Sequence, residues 1–461
     1  MKFKDSNQVA MQHTNAMPFD KGRNSYMSRT GKAAYLMPTE INGWQDETLS
    51  WKKDVYLHTM VSGVGKLVPL RGKDAERLLS HAFVNSFGID RFPIGSAKHV
   101  ITCAPTGNIG AHGLCMRMGE ESFMMGVREP FISVYASSGQ FDVEPFEPKK
   151  SEGLIFQVGG PRSLEVIENL VREDLHDLRF MKFRAAKVGD LDVNILRMGM
   201  AGTLSYEIHM DTMDHVQTLY DEVLSVGEAY NMQVLGRLAY MCNHTENGYP
   251  QQGFNFMPDW TDPAVQSYMG DGEVDGGNFR LVPLRGSLAD EGREAYHLNP
   301  FEAGWGPSIN WNHDFVGKEA LIRIKEGGVA RRICTLEWDP EGIVEVLRTF
   351  FDEDPRVAHE MKMPQNLGES SSGNLQDKVV DSAGRYIGKS AGRLYTRHYK
   401  KMISMGWVDP EFSEIGTEVT ILWGDPGTRQ IPIKAKVERY PYLDLVPNAK
   451  YDIGTIPKFS A

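Results

Sequence analysis

The hydrophobic period changes along this chain, and that change limits the folds open to it. Between 151 and about 235, helical and strand periods take turns. Leu164, Ile167, Leu170 and Val171 follow helical spacing behind Gly160-Pro161, which reads as a helix start with proline at the first helical position. Leu191, Val193 and Ile195 alternate, as a half-buried strand does, and so do Tyr206, Ile208 and Met210. The second alternation places Glu207 and His209 together on the opposite face. Met213 to Tyr230 returns to helical spacing, with Val216, Leu219, Val223 and Leu224 periodic. From about 331 the period is two: Val419, Ile421 and Trp423, then Ile431, Ile433, Ala435 and Val437, predict a small β-barrel or sandwich. Residues 1 to about 150 mix both periods, with a helix expected over Lys73 to Asn85. The reading is α+β in three regions, 1–150, 151–330 and 331–461, with a polar loop or insertion between about 352 and 378.

Composition narrows the function. A chain of 461 residues suits two or three domains. A net charge of -11 argues against general nucleic-acid binding, which needs a basic face. An anionic substrate then depends on local Arg or Lys. No apolar run reaches the ~18 residues of a membrane span. The start, MKFKDSNQVAMQH, has no apolar signal core. Cys103, Cys115, Cys242 and Cys334 form no CxxC pair and fit reduced thiols. Together these features predict a soluble, cytoplasmic protein. The 23 methionines read as adaptable core filling.

Several motifs fail on spacing. Gly63-Val64-Gly65-Lys66 lacks the phosphate-loop pattern and reads as a turn before a strand. His244-Thr245-Glu246 resembles the HxE of zinc deaminases, but no PCxxC follows. With no HExxH either, no metal is expected, and no GxSxG supports a serine hydrolase.

Four segments, in order, carry a resemblance: Arg71-Gly72-Lys73-Asp74-Ala75; Gly199-Met200-Ala201-Gly202 followed by Tyr206-Glu207-Ile208; Asn299 to Pro307 with Asp314 to Leu321; and Gly384-Arg385-Tyr386-Ile387-Gly388. The ordered set covers most of the chain and resembles the aminomethyltransferase (glycine-cleavage T-protein) family. Within it, the run Arg197 to Gly202, the segment Leu238-Ala239-Tyr240 continuing to Glu246-Asn247-Gly248-Tyr249, and the extra polar stretch after 350 are similar to the tetrahydrofolate-dependent aryl O-demethylases of the vanillate and syringate type. The resemblance implies a three-domain cloverleaf with folate in a central channel.

It also assigns roles. A pterin presents a ring N–H beside an exocyclic amine, and one carboxylate accepts both. On alternation alone Glu207 reads as a solvated strand glutamate; the resemblance makes it that carboxylate. An aryl methyl ether leaves as a phenolate, which a positioned acid assists. The resemblance gives this role to Tyr240, which otherwise reads as a buried core tyrosine. Arg128, one position out of register with the demethylase arginine, is either a substrate-carboxylate partner or a surface arginine paired with Glu129. Tyr249 either flanks an aromatic ring or only packs. His112 stands where the glycine-cleavage enzyme has its essential aspartate, which argues against aminomethyl transfer. Met37 replaces a substrate-contacting tyrosine, so the donor pocket departs from the vanillate pattern.

The expected activity is transfer of a methyl group from a lignin-type aromatic methyl ether to tetrahydrofolate, giving 5-methyltetrahydrofolate and a phenol. Two other readings stay open: demethylation of a sulfonium such as dimethylsulfoniopropionate or another small donor, and folate binding without turnover in a regulatory protein.

Overall fold

The computed structural model describes residues 26–29, 35–59, 67–127, 130–148, 153–212, 214–269, 282–354, 358, 360–365 and 374–459, with 26–29 and 35–38 as backbone. A four-stranded antiparallel sheet runs in the order Val68–Arg71, Ser122–Val127, Ile109–Arg117, Ser96–Cys103. Helix Ala75–Ala82 buries Leu78 and Leu79 against it. That helix is shorter than the 73–85 expected. Phe83 leaves helical geometry for extended backbone and bridges to Thr102, so pairing with the sheet ends it.

The second sheet has six strands, in the order Gln233–Val234, Tyr56–His58, Leu154–Gly159, Ser205–Met210, Leu191–Leu196, Phe183–Val188. Helices Ser163–Val171 and Val216–Glu228 cover one face. Phe156, Val158, Tyr206 and Ile208 meet Leu164, Ile167, Leu219 and Val223 there. The helix expected at Pro161 starts two residues later, at Ser163. Gly160, at φ 120, and Pro161 instead form the turn: a side chain at Gly160 would stand 2.4 Å from the Asp54 carbonyl oxygen. Both Leu154–Gly159 and Ser205–Met210 are buried at every residue, so the opposite face is covered as well.

The C-terminal strands close into the expected barrel: Arg332–Trp338, Lys401–Val408, Tyr386–Thr396, Asp377–Val380, Glu418–Trp423, Ile431–Glu438 and back to the first. Val419, Ile421, Trp423, Ile431, Ile433, Ala435 and Val437 all face its core. The Glu369–Gly373 stretch and the Gly63–Lys66 motif lie outside the described residues. From the barrel the chain returns to the six-stranded sheet. Arg197, buried, donates to the Asn448 and Tyr451 carbonyls, and Asn448 donates to the Ser205 carbonyl.

Candidate active site

The face of the six-stranded sheet away from its helices carries a row of polar side chains. His58 pairs with Gln157 across one strand boundary and Gln157 with Glu207 across the next. Glu207 is therefore not the solvated strand glutamate that alternation alone suggests: it is 2 % exposed. Its Oε1 accepts from Gln157 Nε2 at 3.1 Å, and its Oε2 meets His209 Nε2 at 2.8 Å. Gln157 is oriented in turn. Its Oε1 accepts from Tyr56 Oη at 2.6 Å and from the Met200 amide at 3.2 Å, which turns its amino group toward Glu207.

Helix Arg237–Asn247 packs over this row. Its composition is polar, yet Arg237 and Ala239 to Glu246 are all buried. Polar bonds tie it to three other parts of the molecule. Glu246 pairs with Lys52 at 2.6 Å, Thr245 donates to the Gly392 carbonyl on a barrel strand, and Asn247 donates to the Met200 carbonyl in the glycine turn. Arg237, Tyr240 and His244 share a helical face at i, i+3, i+7 spacing. Tyr240 stacks on His58 with ring centroids 3.8 Å apart and planes 15° from parallel, and His244 meets Tyr240 edge-on at 5.0 Å.

Aromatic rings continue from there. His244 lies 6.0 Å from Tyr249, and Tyr249 adjoins His99, His112 and Trp305 at 5.5, 5.8 and 5.7 Å. His99 Nε2 and His112 Nδ1 are 3.1 Å apart, and Tyr249 Oη is 3.4 Å from the same His112 nitrogen. Burial holds three of these histidines neutral, pushing His58 and His244 down to about 3 and His99 to about 4. Burial likewise lifts Tyr240 well above the ordinary phenol range, with Arg237 opposing. Its proton is therefore in place at neutral pH.

Three of the residues singled out from sequence, Tyr240, Tyr249 and His112, thus belong to one connected ring cluster, and Glu207 lies on the polar row beneath it. Met37 falls on the strand Tyr35–Pro38, opposite Met27, and its side chain is outside the described residues, as is Arg128. His58, Gln157, Arg237, His244, His99 and Trp305 were not anticipated as site residues. For Arg237 and His244 the sequence signal is a helix-length segment too polar to be ordinary core; the other four lie outside that helix.

A profile of the GCVT N-terminal domain matches residues 25–264. The chain belongs to the GCVT aminomethyltransferase family. It is 32 % identical over 431 residues to a sesamin methylene transferase from Sinomonas sp., covering 92 % of this chain and 94 % of that one. It is 26 % identical over 447 residues to a syringate O-demethylase from Sphingobium sp., covering 90 % and 92 %. Glycine cleavage system aminomethyltransferase T from Bartonella henselae shares the fold, with TM-score 0.63 at 16 % identity over 91 % of this chain and 95 % of that one. Tetrahydrofolate is the cofactor of this family member, and its reaction is folate-dependent transfer of a one-carbon unit.

The residues present fit that cofactor. Among the described residues no Lys or Arg pairs with Glu207, so each of its oxygens keeps acceptor capacity beyond its one donor. The ring nitrogens of His58 and His244 and the side-chain amide of Asn243 are buried and find no hydrogen-bond partner among the described residues. A native site leaves such groups unpaired chiefly where something else satisfies them. A separate group, Glu168, Asp174 and His176, converges within 4.8 Å on the helix side of the sheet. Lys458, the Ile456 carbonyl and the Phe459 amide bond to it, so it fastens the C-terminal strap.

Proposed function

We propose that this protein is an aryl ether demethylase, moving a methyl group from an aromatic methyl ether to tetrahydrofolate and releasing a phenol. The observation that carries the reading is the continuity of the site. A carboxylate suited to a pterin edge, Glu207, lies in a row that ends at His58, and His58 carries the stacked Tyr240. Beyond Tyr240 the rings of Tyr249, Trp305, His112 and His99 offer an aromatic donor flat surfaces and a neutral environment. Bound tetrahydrofolate supplies the nitrogen nucleophile that accepts the carbon. Glu207 holds the pterin edge, and Tyr240 delivers its proton to the departing ether oxygen. Burial weakens Tyr240 as an acid, but it weakens a phenol held in the same surroundings by the same means, so the two stay matched. His112 bears no carboxylate, which supports a donor other than an aminomethyl group.

A second reading is favoured by the 32 % identity to a methylene transferase: the unit moved is a methylene bridging two neighbouring aryl oxygens. Two C–O bonds then break and two oxygens need protons. Tyr240 and Tyr249, flanking His244, would be the two donors. A sulfonium, by contrast, leaves as a neutral thioether and needs neither.

The test is incubation with tetrahydrofolate and a panel of methoxyarenes, methylenedioxyarenes and sulfonium donors, reading the folate product by mass. Methyltetrahydrofolate with a phenol supports the first reading, and methylenetetrahydrofolate with a catechol the second. Turnover of sulfonium donors alone would remove both. Folate binding with no turnover of any donor would leave the regulatory reading.

A further inference from the structure

We propose that His209 is the positioning residue of the folate-binding carboxylate in this chain. The inference rests on Glu207 binding the pterin, and it assigns a role to a side chain two positions further along. His209 and Glu207 share one face of the strand Ser205–Met210, being i and i+2. They are 1 % and 2 % exposed, and His209 Nε2 lies 2.8 Å from Glu207 Oε2. An ionised carboxylate only accepts, so the imidazole proton sits on Nε2.

Two donors thus hold the carboxylate from opposite sides. Gln157 takes Oε1, with its own amide locked by Tyr56 and Met200, and His209 takes Oε2. Rotation about the terminal carboxylate bond is blocked, and the remaining lone pairs keep one direction. Preorganisation of this kind matters because a bidentate contact tolerates little angular error. Without His209, Oε2 becomes a buried acceptor with no partner, and the group is held on one side only.

The fold gives no independent reason for histidine at this position. Its cross-strand neighbours are Ile155 and Asn194, and its Nδ1 is buried with no hydrogen-bond partner among the described residues. An apolar residue would avoid that unmet nitrogen, which carries a desolvation cost. Among the described residues, the one hydrogen-bond contact of the His209 ring is the one to Glu207.

The experiment is calorimetric titration of the full chain with tetrahydrofolate, without any donor, under reducing conditions. His209→Leu should weaken folate binding by roughly 10-fold or more, the usual range for a hydrogen bond to a charged group. His209→Gln, whose amide nitrogen can replace Nε2, should stay within about 3-fold of wild type. In a Glu207→Gln background, His209→Leu should add less than about 2-fold, because it acts through the carboxylate. Wild-type-like affinity in His209→Leu, or an additive loss in the double variant, would overturn the proposal. If His209→Leu does not fold, His209→Asn, whose shorter amide falls short of Oε2, takes its place with the same expectations. If the wild-type chain itself binds no folate, the reading of Glu207 fails along with this one. If it binds and His209→Leu is indifferent, only the role of His209 fails.

Discussion

Tyr240 and Glu207 can each be tested by a change of one functional group. Tyr240→Phe removes a hydroxyl and keeps the ring stacked on His58. Turnover of an aryl methyl ether should fall by roughly 10²–10⁴, the usual size of a general-acid contribution. Donor binding should barely move, since the proton is needed mainly in the transition state. The loss should shrink across a series of donors whose phenols are increasingly acidic. A uniform slowing of all donors would mark the hydroxyl as structural instead. Glu207→Ala deletes the carboxylate and strands its Gln157 and His209 donors. Folate binding should weaken by about 1.5–3 kcal/mol. Unchanged affinity in a folded variant would dismiss Glu207 as the pterin contact. Both residues were named from sequence, but only through resemblance. Alternation showed which face Glu207 occupies and could not show that the face is buried.

At the scale of elements, the site depends on where helix Arg237–Asn247 stops. Gly248 ends it in the left-handed region at φ 67, and a side chain there would stand 2.6 Å from the Tyr440 ring. Gly202, at φ 71, admits the end of the same helix: a side chain there would meet Asn247 Oδ1 at 2.1 Å. Gly248→Ala combines a disfavoured backbone with a clash against an aromatic ring. It should cost about 2–4 kcal/mol, read as a lower urea midpoint with an unchanged m-value. A stability within experimental error of wild type would show that the chain bends round both contacts. The glycine turn at 199–202 was visible in the sequence as a motif. Its purpose was not, because the partner it admits lies about 45 residues further on.

For the whole molecule, the buried histidines make stability depend on pH. An unfolded histidine titrates near about 6.5. In the native chain His58 and His244 are held near 3 and His99 near 4. Between these values the unfolded chain binds protons that the native site refuses. The stability these histidines contribute is therefore full above about pH 6.5 and is lost as pH falls, at about 1.4 kcal/mol per unit for each. Groups with raised native values oppose this, among them the carboxyls of Glu47 and Glu302, which burial lifts. Asp377, raised to about 6 by burial, takes up a proton natively over the same range. For His176, burial pulls the pKa down, but the Ile456 carbonyl with Glu168 and Asp174 leaves it raised overall. The net expectation is a loss of about 1–3 kcal/mol per pH unit between pH 6.5 and 5.5. Urea titrations at pH 7.5, 6.5 and 5.5 check it, and flat midpoints would mean that the histidines are not held neutral.

Local periodicity determined what local physics controls. The strand at 205–210, the helix through Leu219 and Val223 and the C-terminal barrel strands follow from side chains alternating between an apolar face and its opposite, a property of a few neighbouring residues. Helix ends departed from expectation at Pro161 and Phe83, where contacts with distant chain outweighed local preference. The site itself was decided by tertiary structure. His58, Gln157 and Glu207 form a row only because strands 100 and 50 residues apart pair in that register. His112 and His99 meet Tyr249 only because a sheet and a helix from different parts of the chain converge. No periodicity encodes such pairings, since they depend on which surfaces bury each other. Polar residues that look exposed in sequence, the helix Arg237–Asn247 above all, became the interior of the molecule.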